Sequence, residues 1–175
     1  MSPIAVLVGI PGAGKTTVGQ ELASLVGSEF ADTDQVVEAE AGRTVGDIFL
    51  EDGEEAFREL ERQAVAAAVA YPGVIALGGG AILDPGTREL LSGLNIVWLQ
   101  VSIDSASKRI GMNVARPMLL GNVRNRLITL MRERAALYEE LATVSIDTDA
   151  KSPAEVASEI ATALTLPRFG VIADG

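Results

Sequence analysis

The chain has 175 residues, of which 48% are hydrophobic, and a formal net charge of −10. That length suits one domain with a substantial core, and no uncharged apolar run approaches the roughly 18 to 20 residues that span a bilayer. The absence of cysteine and histidine excludes disulfides, thiolate metal sites and Ser-His or Cys-His catalysis, and the acidic balance speaks against a generic nucleic-acid surface or an anionic membrane face.

In chain order, Ile4 to Val8 is an apolar run without a basic flank. It reads as a first strand rather than a signal peptide, so a cytoplasmic protein is expected. Gly9-Ile-Pro-Gly-Ala-Gly-Lys15-Thr16 follows, and then a helix-like segment from Thr17 to Val26. Glycines at 9, 12 and 14 allow a tight wrap that aims backbone N–H groups at phosphate oxygens, backed by the positive end of the helix. Lys15 then pairs the β- and γ-phosphates, and the Thr16 hydroxyl suits Mg²⁺. The loop establishes nucleotide phosphate binding and leaves a kinase, a GTPase switch and an energy-coupling ATPase open.

After Glu29-Phe30-Ala31 comes Asp32-Thr33-Asp34, whose spacing puts both carboxylates on one side of an extended segment. One would serve metal waters and the other a substrate hydroxyl, although the same residues also form turns and helix caps. Phe57, Leu60, Ala64, Ala68 and Tyr71 make the buried face of a helix with Arg58 on its flank. Arg58 is there either an anion ligand or a partner of Glu54 and Glu61.

Val74 to Leu77 reads as a strand ending in Gly78-Gly79-Gly80, which permits close backbone approach or a simple turn. Asp84-Pro85 starts a helix, and Ile96 to Val101 is a strand that places Trp98 in the core. From Lys108 to Arg126 the periodicity fades and Arg109, Arg116 and Arg124 gather beside Gly111, Pro117 and Gly121, as in a phosphate-covering lid or a surface loop. Leu127, Leu130, Met131, Tyr138 and Leu141 then form an apolar stripe centred on Arg134, which needs a structural carboxylate or a bound anion opposite it. Val144 to Ile146 is a last strand, followed by the capping box Ser152-Pro153-Ala154-Glu155.

This alternation predicts an α/β fold with a central parallel sheet of about five strands flanked by helices, and ligands beyond the carboxyl ends of the strands. The expected organisation is one domain over 1–166, a lid at about 110–124, and a loosely held tail at 167–175. Neither an Asp-x-x-Gly nor an Asn-Lys-x-Asp segment is present, and where a motor ATPase carries an acid at the end of a strand, Val74 to Leu77 ends in glycines and Ile96 to Val101 ends without one. A kinase is the reading that remains strongest.

Ala31-Asp-Thr-Asp34 with Glu38, Ile48-Phe49, Gly53-Glu54, Phe57-Arg58, Leu60-Glu61, Leu77-Gly-Gly-Gly80, Arg116-Pro117-Met-Leu119, Arg134-Ala-Ala-Leu137-Tyr138 and Asp147-Thr148 together resemble the shikimate kinase family over almost the whole chain. The resemblance implies a P-loop fold of the nucleoside-monophosphate-kinase-like type with a mobile lid, and transfer of the ATP γ-phosphoryl group to the 3-hydroxyl of shikimate. It implies catalytic roles for Lys15, Asp34 and Arg116, and ATP binding by Gly12, Ala13, Gly14, Lys15, Thr16 and Thr17 with Arg109, Arg116 and Lys151. Shikimate would meet Asp34, Arg58, Gly79, Gly80 and Arg134, with Mg²⁺ held directly by Thr16 and through water by Asp32. Leu77 departs from the hydroxyl residue that many such kinases carry near the glycines, which removes a metal-water role there. Shikimate and ATP are then the partners of a monomer, with no nucleic acid or membrane. A kinase for another polyol acid such as gluconate, or a non-kinase P-loop ATPase or switch, are the rival readings.

Overall fold

A computed structural model describes residues 1–112 and 120–170. Five parallel strands, β1 (Ala5–Val8), β2 (Phe30–Asp32), β3 (Val74–Ala76), β4 (Ile96–Gln100) and β5 (Val144–Asp147), pair in the order β2-β3-β1-β4-β5. Every residue of β1 and β3 is buried, because helices cover both faces, and this is why those strands read as unbroken apolar runs. At the edge, β5 buries only Ile146 fully.

Helix α1 (Lys15–Val26) follows β1, and α2 (Thr33–Ala41), α3 (Val45–Asp52) and α4 (Glu54–Ala68) lie between β2 and β3. A 3-10 turn at Ala81–Leu83 leads into α5 (Pro85–Leu91); α6 (Ile103–Gly111) and α7 (Leu120–Leu141) separate β4 from β5, and α8 (Pro153–Ala163) follows. The chain leaves β1 to cross over β3 toward β2, and leaves β3 to cross over β1 toward β4. Adjacent strands thus send their connections in opposite directions, which opens a crevice at their carboxyl ends.

Beside the main core, Val37, Ile48, Phe57 and Ala64 form a second apolar cluster that joins α2, α3 and α4. Phe49 stacks on Phe57 with ring centroids 4.7 Å apart. Each such buried side chain contributes about 1.5–3 kcal/mol, so the helical unit that carries Asp34 and Arg58 has its own anchorage.

Three expectations change. Tyr71 is exposed rather than buried, because α4 ends at Ala68 and the chain turns into Pro72, which disfavours helix in the residue before it. The aperiodic interval expected at about 110–124 is helical at both ends. α6 is capped by Ser102, carries Lys108 and Arg109 in its last turn, where cations suit the helix dipole, and runs to Gly111. Arg124 stands on α7 paired with Asp104 of α6 instead of in a loop, and Arg116 lies outside the described residues. The tail is tied down over 167–170: Arg168 Nη2 donates to Ser158 Oγ at 3.0 Å and Thr162 Oγ1 at 3.1 Å, and the Phe169 N–H donates to the Leu25 carbonyl at 2.7 Å. Among the described residues no helix is long and apolar enough to cross a membrane.

Candidate active site

Gly9 to Thr16 leaves β1 and winds into α1. Gly12 has φ +84°, and a Cβ there would lie 2.9 Å from the Ala106 carbonyl oxygen; Gly14, at φ +88°, is the N-cap of α1. Among the described residues no side chain caps α1, and its first turn holds no acid. Its free N–H groups and positive end are therefore open to an anion.

Lys15 Nζ donates to the Gly9 carbonyl at 2.7 Å and the Ile10 carbonyl at 3.1 Å. Burial pulls its pKa down to about 8, against the opposing pull of Asp34 and Asp32. Phosphate oxygens in place of those carbonyls would raise it again. The expected result is that kcat/KM for MgATP declines above about pH 8, while the alkaline limb of kcat moves higher. Parallel pH profiles check it, and a kcat/KM that stays flat through about pH 9 contradicts it.

Asp32 and Asp34 do not share an extended segment. Asp32 ends β2 as the N-cap of α2, and Asp34 sits in the first helical turn. The change follows from capping chemistry: Asp32 Oδ1 accepts from the Asp34 N–H at 2.9 Å and the Gln35 N–H at 3.3 Å. Its other oxygen, Oδ2, accepts from the Thr16 hydroxyl at 2.6 Å. One carboxylate oxygen of Asp32 thus caps α2 while the other holds the Thr16 hydroxyl. Asp34 Oδ1 is buried without a hydrogen-bond partner, and burial, then Asp32, raises its carboxyl above the ordinary range despite Lys15.

None of Gly78, Gly79 and Gly80 needs a left-handed backbone; they are glycines because charged side chains occupy the space a Cβ would take. Such a Cβ at Gly78 would stand 2.5 Å from Asp34 Oδ1 and 2.9 Å from Glu61 Oε2. At Gly79 it would stand 3.0 Å from Arg134 Nη1, and at Gly80 2.6 Å from Arg58 Nη1. The close approach expected at these glycines is made by the protein's own ionic groups.

Arg58 pairs with Glu61 at 2.7 Å and Glu54 at 3.5 Å, as the ion-pair reading expected, and it also lines a cavity of about 360 Å³ with Phe49, Phe57, Glu61, Gly80 and Arg134. Arg134 is 8% exposed, its Nε is buried without a partner, and among the described residues it forms no ion pair. A second cavity, about 520 Å³, is lined by Gly12, Gly14, Lys15, Thr16, Thr17, Asp32 and Arg109. Pro11, Asp34, Gly79 and Ile110 line both, so the two meet there, with Asp34 the one charged residue among these on the boundary. A larger apolar hollow of about 780 Å³ beneath α4 and β2 shares no residue with either and has no cationic wall.

Arg109 stands beside the loop, with Nη1 donating to the Gly12 carbonyl at 3.0 Å and Thr148 Oγ1 at 3.2 Å. Lys151, also expected at the nucleotide, makes its contacts elsewhere in the protein. It donates to the Asp147 carbonyl at 2.9 Å, pairs with Glu159 of α8, and does not line the cavity. Ala13, within the loop, is fully buried, and its N–H donates to the Ile10 carbonyl at 3.2 Å.

Glu61 was readable only as a neighbour of Arg58, yet it is 3% exposed, and burial raises its carboxyl against the Arg58 hydrogen bond. An acid on the apolar stripe of Phe57, Ala64 and Ala68 was the available signal.

A family model described as shikimate kinase matches residues 11–165. The shikimate kinase of Thermobifida fusca (strain YX) is 56% identical over 160 residues, covering 91% of this chain and 93% of its own. A solved structure of shikimate kinase from Acinetobacter baumannii in complex with shikimate superposes with a TM-score of 0.86 at 34% identity, covering 94% of this chain and 93% of that one. A gluconokinase from Sinorhizobium meliloti 1021 reaches a TM-score of 0.58 at 22% identity over 94% of this chain and 92% of that one, a likeness of fold alone. With a phosphate loop and an arginine-walled cavity meeting at one carboxylate, and with these matches over nearly its full length, the chain belongs to the shikimate kinase family of ATP-dependent small-molecule kinases.

Proposed function

We propose that the two cavities are the donor and acceptor halves of one phosphoryl-transfer site. ATP phosphates lie on the N–H groups from Gly12 to Thr17 with Lys15 against them, and Arg109 borders the nucleotide. Shikimate occupies the 360 Å³ cavity, its carboxylate on Arg58 and Arg134, its ring between these residues and Gly79 and Gly80, and its 3-hydroxyl toward Asp34. The observation that carries this reading is the placing of Asp34 on the boundary between a phosphate cradle and a cationic pocket.

In the transfer, the bond between the γ-phosphorus and its bridging oxygen to the β-phosphate breaks, a bond to the 3-oxygen forms, and the hydroxyl proton passes to Asp34. Phosphoryl transfer is mostly positioning and charge stabilisation, so a desolvated carboxylate that orients the hydroxyl suffices. Arg116, outside the described residues, is assigned to the transferred group. The Thr16 hydroxyl and Asp32 Oδ2, 2.6 Å apart on the nucleotide side, are hard oxygen donors that fit Mg²⁺, Thr16 directly and Asp32 through water. When bound, the cation offsets charge on the β- and γ-oxygens. Both halves come from one chain, which supports a monomer as the working unit.

The test is ADP release from MgATP. Shikimate is expected to stimulate it strongly and gluconate much less; equal stimulation by the two acids, or none by either, sinks the substrate assignment.

A further inference from the structure

The Gly78-Gly79-Gly80 segment is held by two hydrogen bonds from opposite sides. The Gly78 N–H donates to Thr33 Oγ1 at 3.1 Å, and the Tyr138 hydroxyl donates to the Gly79 carbonyl at 2.7 Å. Both side chains are hidden, Thr33 at 0% and Tyr138 at 1% exposure, so neither reaches the cavities. Burial pushes the Tyr138 phenol up to about 12 against the pull of Arg134, which keeps it a donor across the working pH range.

Each clamp belongs to an element that carries a charged group of the site. Thr33 stands between Asp32 and Asp34 at the start of α2, and Tyr138 stands one turn beyond Arg134 on α7. Thr33 therefore ties the turn bearing Asp34 to the end of β3, and Tyr138 ties the turn bearing Arg134 to the next glycine. Three successive glycines have the greatest backbone freedom of any sequence, and a buried N–H or C=O left unpaired is costly. The two bonds remove that freedom where Asp34, Arg134 and Arg58 each lie against a different glycine.

We propose that Thr33 and Tyr138 are positioning residues for the acceptor: by clamping the glycine segment they set the spacing between the Asp34 carboxylate and the Arg134 and Arg58 guanidiniums. The clamp acts on binding through those three groups and so rests on their assignment as the shikimate face.

Thr33→Val keeps the shape and removes the acceptor, Thr33→Ser keeps the acceptor, and Tyr138→Phe keeps the ring that packs on Trp98 at 5.8 Å. Thr33→Val and Tyr138→Phe are each expected to raise the KM for shikimate roughly three- to tenfold, with the KM for MgATP within about twofold of wild type and Thr33→Ser near wild type. A merely structural role lowers the melting temperature and leaves the ratio of the two KM values alone. An unchanged shikimate KM in folded Tyr138→Phe, or an equal rise for both substrates, overturns the clamp. Arg134→Ala run alongside separates the failures. If it raises the shikimate KM while the clamp variants do not, the clamp alone fails; if it too leaves KM unchanged, the acceptor site itself is misassigned.

Discussion

Asp34→Asn lowers kcat for shikimate-dependent ADP release by about 10²- to 10⁴-fold, with little change in the KM for MgATP. The amide keeps the size of the carboxylate and can no longer take the hydroxyl proton or orient the hydroxyl by charge. The same variant is expected to melt at a higher temperature than wild type at neutral pH. Asp34 has a raised pKa in the folded protein, with burial as the first cause and Asp32 as the second. Its ionised form therefore costs more in the fold than in the unfolded chain. That cost is fully present above the folded pKa and fades as pH drops through it, so the difference in melting temperature shrinks toward acid. Steady-state kinetics with thermal unfolding across pH checks both halves. Wild-type turnover would remove Asp34 from the chemistry, and a lower melting temperature would make it a structural residue.

Arg134→Ala raises the KM for shikimate by about 10- to 100-fold, the equivalent of losing a charged hydrogen bond at ~1.5–3 kcal/mol, and changes kcat less. The guanidinium is 8% exposed with an unpartnered Nε, an arrangement that costs energy until an anion arrives. Removing it should therefore not destabilise the free protein beyond the loss of its apolar stem. Arg134→Lys keeps the charge but not the planar fork, and falls between wild type and alanine. Kinetics with shikimate varied at saturating MgATP decides; an unchanged KM refutes the assignment.

The features legible in sequence were those carried by contiguous residues or by a charge set against a strong pattern. The phosphate loop needs only its own glycines and the helix after it, and Arg134 stood out because an apolar stripe surrounded it. β1 and β3 were legible because covering on both faces leaves no polar residue in them. Thr33 and Tyr138 carried no such mark. Their partners are backbone groups 45 and 59 residues away, and a buried threonine or tyrosine looks the same whether or not it holds a loop. Lys151 closely follows Thr148, which meets Arg109, and the turn into α8 pairs it with Glu159, a contact the sequence did not single out. For Arg58 the ion pair and the proposed ligand role are compatible, because Glu61 holds one edge of its guanidinium while the residue still lines the cavity.

The bonds that Lys15 makes to the Gly9 and Ile10 carbonyls bear on how the catalytic cycle closes. On the proposed function, the Lys15 ammonium would return to these two carbonyl oxygens when ADP departs instead of being left unpaired in a poorly solvated cleft, and that resting berth would lower the electrostatic barrier to letting product go.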